Sequence, residues 1–267
     1  MTGYRCSLKC KYCMGKYLEG MYPVETPGEL KALVRRAWKR GVRGILLSGG
    51  FTRDGVLPLR PFLPAVRELK KDYGLIVSVH PGLINEEDVK LLVEAGVDIV
   101  DFEVELDEEV IRDIKGLKKS PGDYARVLDV LAREGPPYLA PHVIIGVKWG
   151  RLGSEFEALD LISDYDPYLT VLLVFRPTPS TPMSAVNPPN IDDVVKVFKY
   201  ARKVLRGEIS LGCMRPNKYK RSLDHALIER GLIDRLAVPI PETVRNHGLK
   251  VYGACCSVPV EHLHLFY

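Results

Sequence analysis

Residues 1–17, MTGYRCSLKCKYCMGKY, set three thiols, Cys6, Cys10 and Cys13, at the spacing C-x3-C-x2-C, with an aromatic residue, Tyr12, directly before the last. Structural zinc takes four protein ligands, and no fourth Cys or His lies nearby. A disulfide leaves one thiol over and calls for an oxidising compartment. Three thiolates on a four-iron cluster leave one iron without a protein ligand, and an open iron is what a chelating small molecule needs.

The rest of the chain suits such a centre. Its 267 residues, 46% of them apolar, are enough for one large α/β domain with a real core. The longest apolar run, VLLVF at 171–175, has the length of a buried strand and not of a membrane span. Without an apolar signal core at the N-terminus, the expected location is cytoplasmic and reducing, where six cysteines point to metal or redox work before disulfides. A net charge of +4, spread along amphipathic stretches, argues against a nucleic-acid partner. The absence of glutamine and the weight of Lys, Arg, Glu and Pro lean towards a thermophilic source.

Helical and strand patterns alternate from Thr26 onward. Thr26 and Pro27 are an N-cap and a first helical residue for a helix to about Arg40. VRGILLSGG reads as a strand ending at two glycines. Helices over 63–71, 85–95, 154–163, 191–205 and 223–229, with helical stretches within 108–133, alternate with the strands GLIVSVH, VDIVDFEVEL, APHVIIGV, YLTVLLVF and EISLGC. A short apolar piece, LAVPI, and a final strand, LKVYGACC, complete the reading. Alternation at this spacing is the signature of parallel βα units, here most simply an α/β barrel with its active face at the loops after the strands. No Rossmann glycine fingerprint follows any strand. The chain reads as a single domain, 1–267, with 206–267 carrying the later cysteines and 1–205 the rest.

On one strand Asp101, Glu103 and Glu105 alternate with Val100, Phe102 and Val104, which puts three carboxylates on one face. With helices outside, that face is the lumen, and the acids there need partners. Asp101 is expected to pair with a lumen Arg or Lys. His142 has two readings, a core histidine or a group facing the site.

The cysteine spacing, with an aromatic in the slot of Tyr12, resembles the C-x3-C-x-Φ-C signature of radical S-adenosylmethionine (SAM) enzymes. The resemblance implies a [4Fe-4S] cluster on Cys6, Cys10 and Cys13 whose fourth iron binds the amino and carboxylate groups of SAM, and an external electron donor. It implies a partial barrel in which Ser48, Gly49 and Gly50 line the methionine amino group, although Phe51 stands where the family usually has Glu. It further implies Glu103 at the ribose hydroxyls, Gly146 beside adenine, and Arg176 at the SAM carboxylate or a cluster sulfide. In these barrels the cysteine loop follows the first strand, whereas only Met1–Arg5 precede Cys6 here. The expectation is a barrel whose first strand is largely missing, with upstream residues or a partner chain covering the edge.

Cys213, Cys255 and Cys256 form a second group, at the ends of the last two predicted strands. Beside the first cluster they imply an auxiliary [4Fe-4S] cluster, with Ser257 and Arg215 as candidate non-cysteine ligands. The stretches TGYRCSLKCKYCMGKYLEGMYPV, LSGG, GCMRP and YGACCS resemble the biotin-synthase-related archaeal members of the superfamily, and within them a subunit of the two-component lipoyl synthases. That resemblance implies sulfur insertion into a protein-bound octanoyl chain, with a second radical SAM subunit and an octanoylated carrier protein or peptide as partners. A radical SAM enzyme of another reaction type, or a non-enzymatic iron–sulfur or zinc scaffold, stays open at this point.

Overall fold

In the computed structural model, which describes residues 1–267, seven strands follow one another across a single parallel sheet in chain order. They are β1 (Gly44–Leu47), β2 (Ile76–Val79), β3 (Ile99–Glu103), β4 (Tyr138–Ile145), β5 (Leu169–Val174), β6 (Glu208–Leu211) and β7 (Arg235–Leu236). β1 and β7 are the two edges, so the sheet is a half-barrel. Eight helices accompany it: α1 (Pro27–Trp38), α2 (Leu63–Tyr73), α3 (Glu86–Glu94), α4 (Pro121–Glu134), α5 (Glu155–Ser163), α6 (Ile191–Val204), α7 (Ser222–Glu229) and α8 (Pro241–His247). No helix is long and apolar enough to cross a membrane.

Helix starts follow local chemistry. Thr26 and Glu29 form a reciprocal capping box before α1, Asn85 and Asp88 do so before α3, and Ser120 and Asp123 before α4. The apolar stripes of these helices meet the outer face of the sheet in a core of 47 buried residues that includes Val77, Val100, Val143, Leu172 and Leu211. Period-two alternation puts the other set on the concave face: Ile76, Ser78, His80; Ile99, Asp101, Glu103; Ala140, His142; Val171 and Ser210.

The final predicted strand does not form. Residues 249–252 have no strand pairing, and the chain after α8 instead enters the concave face. Val258, with Ala254, Cys256, Leu263, Leu265 and Phe266, packs on Ile76, Ile99, Ala140, Leu169 and Val171. An apolar inner face that the sheet cannot bury against itself gains more from this cover than the tail would gain from extending the sheet. Side chains anchor the tail: Tyr168 Oη donates to the Ser257 carbonyl, Arg235 Nη1 to the Cys256 carbonyl at 3.0 Å, and Tyr138 Oη to Glu261 at 2.6 Å. Helix α8 went unread in the sequence, although Pro241 at its start and Gly248 after it, at φ 59°, are its punctuation. As expected, no strand precedes Cys6; Thr2 and Tyr4 share only an isolated bridge.

Arg215, a candidate cluster ligand from sequence, has another task. Its side chain is fully buried and saturated, with Nε and Nη2 each 2.8 Å from Asp224 and Nη1 donating to the carbonyls of Gly212 and Ala237. The guanidinium ties the turn after β6 to α7 and to the end of β7 and has no donor left for a cluster. Asp224→Ala leaves that cation buried without its partner and is expected to cost about 3–5 kcal/mol. The readout is a lower midpoint in urea unfolding; Asp113→Ala, which breaks the exposed pair with Arg112, should leave the midpoint in place.

Candidate active site

The cysteine loop lies at the C-terminal end of the sheet, held by its backbone. Ser7 N donates to Phe51 O beyond β1 at 2.8 Å, Lys11 N to Ile114 O at 2.8 Å, and Met183 N to Lys11 O at 3.3 Å. Within the loop, Cys13 N and Met14 N both donate to Cys10 O, at 3.0 and 2.8 Å, and left-handed backbone at Met14 and Gly15 turns the chain back. A Cβ on Gly15 would lie 3.4 Å from that of Cys6. Cys10 Sγ lies 3.9 Å from the Lys115 carbonyl oxygen; the neighbouring Cys13 and burial raise the Cys10 thiol, and Cys10 in turn lowers that of Cys13. Three thiols on one tight turn, without a fourth, suit a cluster with one iron open.

Gly50 explains how the loop fits. A side chain there would place its Cβ 1.8 Å from the Arg5 carbonyl oxygen and 2.6 Å from the Cys6 Cα, so the cluster loop crosses the end of β1 where only glycine leaves room. The Gly50 amide donates to Thr2 Oγ1 at 2.7 Å. Gly49 is less crowded, with Leu57 at 3.0 Å, and the Ser48 carbonyl accepts from the Met1 amino group at 2.8 Å.

Two of the three lumen acids pair with a lysine, but Asp101, the one expected to, does not. Lys115, buried at the end of a π-turn (Val110–Ile114), reaches Glu103 at 3.0 Å and Glu105 at 3.7 Å. Burial works against its charge, but Glu103, Tyr124 and Glu105 outweigh it and hold the ammonium above its usual range. Glu105 is nonetheless raised, because its own burial outweighs Lys115. Asp101, assigned to a basic partner from sequence, has none. It accepts from Ser78 Oγ and faces His80 and His142. Three acids on one lumen face signalled that a cation was needed; that it comes from the loop after β3 was not legible.

Tyr12 joins an apolar cluster with Val110, Ile114, Ile144, Phe175 and Met183 beside the loop. The Arg176 guanidinium lies 5.7 Å from the Tyr17 ring centre, and Tyr17 Oη is 3.0 Å from Thr178 Oγ1, so Arg176 borders the cysteine loop. At Gly146, φ is 77° and a Cβ would meet the Pro189 ring at 2.5 Å, while its amide donates to the buried Glu155 at 2.8 Å. These contacts account for that glycine without a cofactor.

Cys213 follows β6, while the tail carries Cys255 and Cys256. Cys213 and Cys255 are exposed and Cys256 is half-buried. The adjacent Cys256 and Ser257 Oγ, 3.4 Å away, lower the Cys255 thiol to about 6, while Cys255 and burial raise Cys256. Cys256 packs with Ile99 and Ala140 on the concave face.

A half-barrel with a three-cysteine turn at its C-terminal rim defines a class. Residues 1–151 match the family model described as the radical SAM superfamily, and the chain belongs to that superfamily. Membership implies a [4Fe-4S] cluster with SAM, for which Cys6, Cys10 and Cys13 are the fitting donor set. Among solved structures, the chain is similar to methylornithine synthase (PylB) at 16% identity and TM-score 0.60, covering 90% of this chain and 70% of that one. It is similar to HydG, a maturase of the [FeFe]-hydrogenase, at 14% and 0.63, covering 87% of this chain and 54% of that one. Streptococcus suis SuiB bound to S-adenosylmethionine follows at 13% and 0.61, with 83% and 51% covered. The chain thus spans about half the length of the last two, and at these identities the likeness is one of fold. No curated protein matches the sequence.

Gly50→Ala is expected to push the loop off β1, an overpacking strain of about 1–3 kcal/mol. Iron retained after anaerobic reconstitution and reductive SAM cleavage should both fall well below wild type, while Gly49→Ala, with softer neighbours, should lose less.

Proposed function

We propose that this radical SAM enzyme generates a 5′-deoxyadenosyl radical in order to insert sulfur into a protein-bound octanoyl chain, as one of two cooperating radical SAM subunits. The observation that carries the reading is the second thiol group: Cys213 follows β6, and the tail that packs on the concave face carries Cys255 and Cys256. When bound, a first cluster supplies one electron to the sulfonium of SAM, and an auxiliary cluster supplies the sulfide that the substrate radical takes up.

The chain's own residues do the holding. Gly50 seats the loop of Cys6, Cys10 and Cys13; Arg176, beside Tyr17, offers a cation to the SAM carboxylate; Glu103 offers an acceptor to the ribose hydroxyls. Lys115, 3.0 Å away, orients Glu103 for that contact. The apolar cluster around Tyr12, Phe175 and Met183 walls the rim and excludes water from a reactive radical. The octanoylated carrier protein or peptide, the second subunit and the electron donor belong to the same proposal.

Two groups of three thiolates correspond to about eight irons per chain, as two four-iron clusters. Changing Cys255 and Cys256 together to Ala should leave about four irons and intact reductive SAM cleavage, because neither residue belongs to the first group. Mass analysis of an octanoyl-lysine peptide incubated with SAM, reductant and a candidate second subunit should then show no thiolated product. Thiolated product from the double variant, or no more than about four irons in fully reconstituted wild type, would overturn the sulfur-insertion reading in favour of another radical SAM reaction.

A further inference from the structure

Three lumen side chains outside both cysteine groups converge on one point. His80 Nε2 lies 3.6 Å from Asp101 Oδ2, and His142 Nε2 lies 3.9 Å from Asp101 Oδ1. One ligand atom from each of the three residues falls within 4.8 Å of the others. The rings of His80 and His142 meet edge to face at 5.7 Å. The Asp101 side chain is 1% exposed, and its Oδ1 is buried without a hydrogen-bond partner. Leaving a carboxylate oxygen so is costly unless something answers its charge. Lys115, the lumen cation, is engaged with Glu103 and Glu105.

Hydrogen bonds among the three do not answer it, because separations of 3.6 and 3.9 Å are too long. The histidines are instead pre-set as ligands. His142 Nδ1 is 2.9 Å from the Ala140 carbonyl oxygen, which only accepts, so Nδ1 is the donor there and Nε2 is the nitrogen that faces Asp101. An imidazole held by a backbone carbonyl through its other nitrogen is the usual outer support of a metal-binding histidine. Ser78 Oγ, donating to Asp101 Oδ2, supports the carboxylate in the same way. Around a zinc-like ion, with bonds of roughly 2.0–2.2 Å, ligand atoms sit roughly 3.4 Å apart. The two His–Asp separations, each to a different oxygen of a carboxylate that can offer both, exceed that spacing by only about a few tenths of an ångström, and the three ligand atoms together lie within 4.8 Å.

We infer that His80, Asp101 and His142 form a mononuclear site for a divalent first-row transition metal, separate from the iron–sulfur centres. Two imidazoles and one carboxylate are a ligand set shared by catalytic zinc and non-haem iron(II) sites, which keep positions open for an oxygen ligand. The His80 side chain is 36% exposed, so the site opens to the lumen, where a carboxylate or carbonyl oxygen of a substrate can complete the coordination. The inference is independent of the sulfur-insertion reading, since neither cysteine group contributes to it.

The test uses the anaerobically reconstituted, cluster-loaded chain and cobalt(II) as the probe. Wild type should take up one equivalent of cobalt beyond its iron, with weak visible d–d bands of nitrogen and oxygen ligation and no intense sulfur-to-cobalt charge transfer. His80→Ala and Asp101→Asn should each weaken uptake by more than the roughly 10–100-fold typical of losing an outer support. Ser78→Ala, which removes such a support, should fall within that roughly 10–100-fold range. Iron content and circular dichroism report whether each variant keeps its fold. If Asp101→Asn does not fold, His80→Ala decides the matter, because its side chain is partly exposed. No cobalt uptake by wild type, uptake unchanged in His80→Ala, or a spectrum dominated by sulfur ligation would each overturn the site.

Discussion

Ile76, Ile99, Ala140, Leu169 and Val171 present an apolar concave surface that a seven-stranded parallel sheet with two free edges cannot bury against itself. Its burial by the C-terminal tail is the contact on which the other features of the lumen depend. Val258, Leu263, Leu265 and Phe266 lie against it, and Cys256, next to Cys255 on the same stretch, packs there too. Beside that cover the concave face is polar: Ser78, His80, Asp101 and His142, then Glu103 with Lys115, then the cysteine loop at the rim. Filling the barrel and furnishing its chemistry are thus one packing solution.

Much of this was legible in the sequence because it is written in local rules. Capping residues such as Thr26 and Asn85 mark helix starts whatever surrounds them, and period-two alternation from Val100 to Glu105 shows that the acids share a face. The three-cysteine spacing is more local still. What local rules do not carry is the identity of partners across the lumen. Asp101 looked like half of an ion pair because an acid inside a barrel needs an answer, yet Lys115 arrives from a turn after β3 and answers its neighbours instead. Arg215, next but one to Cys213, looked like a ligand, and only the placement of Asp224 on α7 shows that its guanidinium is already spent.

The tail was misread for an instructive reason. LKVYGACC has the apolar, β-branched content of a strand, and β7 offers it a free edge. Propensity gives way to the larger burial available inside the half-barrel. The glycines divide in the same way. Gly50 is explained by the passage of Arg5 and Cys6 against it, and Gly146 by the Pro189 ring, so two positions that look alike beside a cofactor motif have different physical causes.

The anchoring of the tail has a consequence for how the molecule breathes. The tail lacks the ladder bonds that hold the strands, and Tyr138, Tyr168 and Arg235 grip it through side chains. A segment held that way opens at lower free energy than the sheet it covers, because releasing it breaks no strand pairing. Cys255 and Cys256 therefore ride on a part of the fold that can lift away while the βα framework and the N-terminal cysteine turn stay intact. Under the sulfur-insertion proposal, such a door would let a spent auxiliary site be rebuilt without unfolding the enzyme.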